Sequence, residues 1–294
     1  MKRDTFAGYH PAVNLTYYVL VLGFCMTVTH PVSQILSFIC AFMYAAQIKG
    51  RKAVMFGMKF SLPVFLLAAV VTPAFSHAGV TVLFYLPTGN PMTLESILYG
   101  LSMGLLLSTV MMWFVSFNEV FTSDKFIYLF GKVIPALSLV LSMTLRFIPK
   151  FKEQFNAVSE AQGCIGRDTS KGSVWRRARN AITILSIVVT WALENAIETA
   201  DSMKSRGYGL KGRTAFSIYR FEDRDWTALI WFVFCGIFLL GGSAAGGMAF
   251  NYFPAIAMEE INSMTVGMQV VYFAMCITPV ILNRREERQW KALF

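Results

Sequence analysis

The run Gly207-Tyr208-Gly209-Leu210-Lys211-Gly212-Arg213-Thr214 comes closest to a recognisable piece of chemistry in this chain. A phosphate-binding P-loop uses glycines so that backbone N–H groups can cradle phosphate oxygens, and a lysine before the final Ser/Thr to reach the terminal phosphates. Here Arg213 stands where that lysine belongs, and a helical pattern precedes the run instead of a strand. Both departures read against nucleotide binding by this chain. Arg206 is the residue that stands out, because it follows a helix and immediately precedes Gly207-Tyr208-Gly209. On charge alone it is one more juxtamembrane cation near anionic headgroups. Presented at a turn, its guanidinium fork suits an acidic partner.

Other reactive groups form no constellation. No nucleophile stands in a pattern with a base, so no catalytic residue is assigned. Cys25, Cys40, Cys164, Cys235 and Cys276 are odd in number and include no CxxC pair; four lie in apolar runs and read as packing residues. His10, His30 and His77 are scattered, with no pair at ligand spacing, so no metal site and no cofactor are expected in this chain. The apolar runs hold no Asp, Glu, Lys or Arg near their centres, the groups that ion-coupled carriers and voltage sensors use.

The elements that position Arg206 follow from composition. Of 294 residues 55% are hydrophobic and only 15% charged, against roughly 25% charged in soluble domains. This is the composition of a membrane protein. The net charge of +9 falls in loops between apolar runs, as membrane topology produces by itself, and does not form a nucleic-acid-binding face. Spans are predicted at Val13–Thr29, Val32–Ile48, Phe60–Phe75, Leu94–Phe117, Trp226–Leu240 and Val266–Leu282. No small-residue cleavage site follows the first, which is expected to stay as an anchor. Lys2 and Arg3, then Lys49, Arg51, Lys52 and Lys59, then Arg284, Arg285, Arg288 and Lys291 mark the cytoplasmic side, placing both termini inside. Residues 76–93 and 241–265 have no basic residue and are expected outside, the first as a turn-rich loop.

The middle breaks this alternation. If Phe126–Leu145 crossed, eight basic residues from Arg146 to Arg179 would be stranded outside. The return run, Ile182–Leu193, has only about a dozen residues, short of a span. Keeping 118–225 inside, with both apolar runs along the membrane surface, is more economical. The expected organisation is thus all-α: helices in 1–117, a cytoplasmic helical domain at 118–225, and spans plus a cytoplasmic tail at 226–294. Within the insert, Phe147, Phe151, Phe155 and Val158 recur at helical spacing, and Gly163 and Gly166 end that helix. A second helix over Arg176–Glu198 is stopped by Gly207 and Gly209. It is basic at its start and acidic at its end, against the helix dipole, so packing must hold it. Elsewhere Gly100, Gly104 and Ser108 share one face of the fourth span, a close-packing stripe for another helix of this chain or, less economically, for a partner subunit.

Arg146-Phe147-Ile148-Pro149, Ala161-Gln162, Ser205-Arg206-Gly207-Tyr208-Gly209 and Arg213-Thr214, with the early His10-Pro11, resemble the transmembrane T component of energy-coupling-factor importers of vitamins and metals. The resemblance covers most of residues 10–240; the last span and tail exceed what the family needs. It implies a non-catalytic prokaryotic plasma-membrane scaffold. Two ABC-type ATPase subunits would bind ATP, and a separate integral membrane subunit would bind substrate. It also implies two Ala-Arg-Gly-type motifs, each docking on one ATPase. The second matches at Ser205, Arg206 and Gly207. The first, near Gln162, departs: Ile165-Gly166 replaces Arg-Gly, and the arginine is displaced to Arg167, which either substitutes or leaves an apolar contact. Arg146, Pro149, Ala161 and Arg213 would belong to the coupling helices. The alternative reading is a stand-alone channel or secondary carrier.

Overall fold

His10-Pro11 and His30-Pro31 begin two helices with the same device. The imidazole Nδ1 of His10 accepts from Ala12 N at 3.2 Å, and that of His30 from Val32 N at 3.3 Å. Proline follows at the first helical position, where no intrahelical N–H is needed. The helices are α1 (Pro11–Thr27) and α2 (Pro31–Lys49). The computed structural model describes residues 4–76, 78–85, 91–167, 169, 172–208, 210, 219–246, 248, 250–258 and 262–293.

Next come α3 (Arg51–Phe75), with a π-helical turn at Gly57–Ser61, and α4 (Leu94–Val120), capped by Thr93. Then follow α5 (Ser123–Val133), α6 (Pro135–Cys164), α7 (Val174–Ser205), α8 (Asp223–Ala244) and α9 (Ser263–Leu293). A 3-10 turn at Phe6–Gly8 precedes α1, and there are two antiparallel strand pairs: β1 (Val82–Tyr85) with β2 (Pro91–Thr93), and β3 (Phe250–Asn251) with β4 (Ala257–Met258). The first pair lies where a turn-rich loop was expected. Val82-Leu83-Phe84-Tyr85 is β-branched and aromatic, a sequence that favours extended backbone; the Pro-Thr-Gly-Asn part of that loop lies outside the described residues.

The chain divides into two units, one made of Met1–Phe126 with Tyr219–Phe294 and the other of Ile127–Ile218. In the first, α4 packs on α2 and α3, α9 on α2 and α8, and α1 on α8 and α4. Its core is aromatic and sulfur-rich: Phe6, Tyr17, Tyr18, Tyr44, Trp113, Phe232 and Met275 are all buried. Buried polar tips reach across helices. Trp113 Nε1 donates to Ser37 Oγ at 3.1 Å, Tyr17 OH to the Cys276 carbonyl at 3.1 Å, and Ser102 Oγ to Gln34 Oε1 at 2.8 Å. In an apolar surrounding each unmade bond would be costly, so these pairs also fix helix register.

Among the described residues, six helices are long and apolar enough to cross a membrane: α2, α3, α4, α7, α8 and α9. Together with the family assignment below, they make this an all-α, multi-pass membrane protein. Five coincide with expected spans. The expected first span is α1, an apolar helix of 17 residues, at the short end of what crosses. The sixth long helix is α7, whose apolar part was expected to stop at about a dozen residues. Its helix instead runs unbroken for 32 residues, which carries Ala196 and Ile197 onto the same rod. Phe126–Leu145 does not form one straight rod. It is divided at Ile134 between α5 and α6, because Pro135 cannot continue the preceding ladder and starts a new helix.

Candidate functional site

The second unit is built on α6 and α7. Phe147 and Phe151 stack with ring centroids 5.8 Å apart, and Phe151 meets Trp191 of α7 edge-on at 5.8 Å. Lys150 Nζ lies 5.5 Å from the Trp191 centroid and donates to Asn195 Oδ1 at 3.3 Å. Of the expected aromatic stripe, Phe151 meets α7 directly, while Phe155 is exposed. Arg146 precedes Phe147 and Pro149 lies between Phe147 and Phe151 on α6, both exposed, with Pro149 removing one rung of the helical ladder. Ala161 sits exposed in the last turn.

Both helices end in the same turn. On α6, Gly166 N donates to the Gly163 carbonyl at 3.0 Å and Arg167 N to the Gln162 carbonyl at 2.9 Å. On α7, Gly207 N donates to the Lys204 carbonyl at 3.0 Å and Tyr208 N to the Met203 carbonyl at 3.0 Å. Each pair is a Schellman cap, which requires a left-handed residue after the cap. Gly166 and Gly207 supply it, with φ of 77° and 79°.

The shared geometry sets a register between the tips. Ile165 occupies the capping position that Arg206 occupies on α7, and Arg167 corresponds to Tyr208. Ser205 corresponds to Cys164. Arg206, Ile165 and Arg167 are all exposed, Ile165 at 64%. Gln162 is half-buried, and its Oε1 is buried without a hydrogen-bond partner among the described residues. Arg213 lies outside the described residues. Arg177 Nε donates to the Thr169 carbonyl at 2.7 Å, tying the loop after the first tip to the start of α7. From Arg177 to Arg206 the helix rises about 44 Å, so the tips stand toward opposite ends of one rod. Along that rod Ile182, Leu185, Val189, Leu193 and Ile197 recur at three- and four-residue spacing, each 49–68% exposed.

Gly100, Gly104 and Ser108 are packed inside the first unit against α3. A Cβ on Gly100 would meet Pro73 Cδ at 2.8 Å, and one on Gly104 the Phe65 carbonyl at 2.7 Å. Ser108 Oγ donates to the Ser61 carbonyl at 3.0 Å. The stripe is where α3 approaches α4 closely.

An anchor at the start of the chain went unread in the sequence. Phe6 is fully buried among Tyr9, Tyr17, Tyr44 and Phe232. Lys125, only 4% exposed, donates to the Ala7 carbonyl at 2.5 Å. With the Asn14 amide oriented to satisfy both its ends, Lys125 also donates to the Asn14 oxygen at 2.7 Å. Burial pushes the Lys125 ammonium down to about 8, with Asp4 opposing. His10 N donates to Asp225 Oδ1 at 3.1 Å, which joins the start of α1 to the capping box of α8. The signal available was His10-Pro11 together with a lone lysine opening α5.

Fold and site together define a class: a polytopic helical membrane protein whose extra unit is a helix pair with two matching capped ends. The CbiQ family, described as cobalt transport protein, matches residues 9–216, and the chain belongs to it. Curated relatives named energy-coupling factor transporter transmembrane protein EcfT are similar over shorter stretches. That of Acidaminococcus fermentans is 33% identical over 159 residues, 50% of this chain and 59% of the relative. That of Brevibacillus brevis is 38% identical over 99 residues (32% and 37%), and that of Lacticaseibacillus paracasei 32% over 96 residues (32% and 36%). These matches thus span from about a third to three fifths of the relatives' own length.

Proposed function

We propose that this chain is the membrane scaffold of an ATP-driven importer of the energy-coupling-factor kind. Two cytoplasmic ABC-type ATPases dock on it, and a separate integral membrane subunit captures the substrate. The observation that carries this is the duplicated Schellman tip: two long helices, packed through Phe151, Trp191 and Lys150, each ending in the same exposed turn. Duplicated tips suit a duplicated partner. Arg206 with Ser205 and Gly207 forms the stronger contact, its guanidinium forking onto an acidic or carbonyl-lined groove. At the other tip the capping position is apolar Ile165, with Gln162, Gly166 and Arg167 around it. Contact there rests more on packing.

Displacement of either tip is carried by α6 and α7, each at least 30 residues long. The exposed apolar stripe from Ile182 to Ile197 is the surface offered to the substrate-binding subunit and the bilayer. Both termini and the helix pair lie on the cytoplasmic side in this reading. The chain itself performs no catalysis and holds no cofactor; ATP is bound by the partners.

The test is reconstitution in liposomes. Uptake is expected only when the chain, both ATPases and a substrate-binding subunit are present with ATP. Uptake by the chain alone without ATP would replace this reading with that of a secondary carrier.

A further inference from the structure

Charged residues from four helices of the first unit converge on a feature that the coupling scheme does not use. Lys49 ends α2, Lys52 begins α3, Glu119 lies in the last turn of α4, and Arg284 lies on α9. All four line one cavity of about 780 Å³. A second cavity of about 450 Å³ shares Lys49, Lys52 and Glu119. Lys49 Nζ pairs with Glu119 at 2.8 Å. Among the described residues Lys52 and Arg284 have no ion-pair partner, and both are exposed.

The rest of the lining is apolar. Phe42 and Met43 continue the first cavity along α2, and Phe56, Met111 and Phe114 line the second. Phe42 lies seven residues before Lys49, about 10 Å along the helix axis. That is the depth over which a phospholipid passes from phosphodiester to acyl chain. Phe114 is 43% exposed, so the apolar wall opens toward the bilayer.

We infer that this is a binding site for an anionic diacyl phospholipid. Lys52 and Arg284 hold the phosphodiester, the Lys49–Glu119 pair closes the mouth, and the acyl chains lie against Phe42, Met43 and Phe114. Topology alone scatters cations along loops. Here cations from three helices meet at one cavity whose far wall is apolar, which is how basic pockets between spanning helices take acidic headgroups. A soluble phosphate would gain nothing from the aromatic wall. Assignment to the cytoplasmic leaflet rests on the orientation proposed above. Charge selectivity is read on the isolated chain and is independent of ATPase docking, so the two readings fail separately.

The experiment uses the full chain purified in detergent, with bound lipid counted by native mass spectrometry. Phosphatidylglycerol, phosphatidylcholine of the same chain length, and inorganic phosphate are added in turn. Phosphatidylglycerol is expected to be retained at least tenfold over phosphatidylcholine, and inorganic phosphate to leave that retention unchanged. Lys52→Gln with Arg284→Gln should reduce retention about 30-fold, roughly fivefold for each cation and its neighbours' field. Lys52→Arg with Arg284→Lys should preserve it and show that the bundle tolerates change there. Equal retention of the two lipids, undiminished retention in the double glutamine variant, or competition by free phosphate would each overturn the proposal.

Discussion

Replacing Gly207 by alanine tests whether the capped tip, and not merely a nearby positive charge, is what the ATPase reads. Gly207 has φ of 79°, a left-handed conformation that costs an L-residue about 1–2 kcal/mol. The added Cβ would stand 3.1 Å from Leu210 Cδ1, but Leu210 is 72% exposed and can turn away. The backbone term therefore dominates. At 1.4 kcal/mol per tenfold, it shifts the turn about 5- to 30-fold away from the capped form, and ATPase affinity should fall by up to that factor. Gly207→Asn should recover most of the loss, because asparagine tolerates this conformation. Gly166→Ala, at φ of 77° with no neighbour within 4 Å, carries the backbone cost alone at the other tip. The assay is ATPase binding to the chain in nanodiscs, with helix content checked in parallel. Wild-type affinity for Gly207→Ala, or equal losses for the alanine and asparagine variants, would refute the reasoning.

Other expectations follow from the same geometry. Ile165→Arg places a guanidinium at the capping position matched to Arg206 and should strengthen ATPase co-purification without changing thermal stability by more than about 0.5 kcal/mol; a weaker complex would show that this tip needs its apolar residue. Gly104→Val drives side-chain atoms into the Phe65 carbonyl and should cost about 1–3 kcal/mol, read as a lower melting temperature in detergent, whereas an unchanged melt would mean that α3 and α4 separate freely. Lys125 sits at about 8 when folded, against 10.5 for an ordinary lysine. Between those values the unfolded chain holds a proton that the folded chain has released, so stability rises with pH across that window and is flat below it. The stability of wild type relative to Lys125→Met should therefore rise from pH 8 to pH 10; a constant difference would contradict the buried position.

The helical architecture was legible because apolar runs of spanning length leave few alternatives, and because cap chemistry is local. Gly166 and Gly207 each mark a helix end in the structure as in the sequence. The family resemblance, drawn from Arg146 to Thr214, agrees with the match over residues 9–216. Other features depend on long-range contact. The apolar length of α7 was underestimated because Glu194 interrupts the run in sequence but lies on one side of an unbroken helix. The alignment of Ile165-Gly166 with Arg206-Gly207, drawn in the sequence from the resemblance, has its geometric counterpart in the paired cap hydrogen bonds. Phe6 and Lys125 could not be placed from sequence, because their partners lie on α1, α2 and α8. The Gly100-Gly104-Ser108 stripe was visible, but only the structure identifies α3 as its neighbour.

The most direct test of the coupling account is Arg206→Glu. Arg206 is exposed at the end of α7, so reversing its charge leaves the fold and membrane insertion unchanged. Placing like charge against an acidic groove costs several kcal/mol of binding. Co-expressed ATPases should no longer copurify with the variant, and uptake should be lost while the chain is still recovered from the membrane at wild-type levels. Undiminished copurification together with persistent transport would contradict docking at this tip.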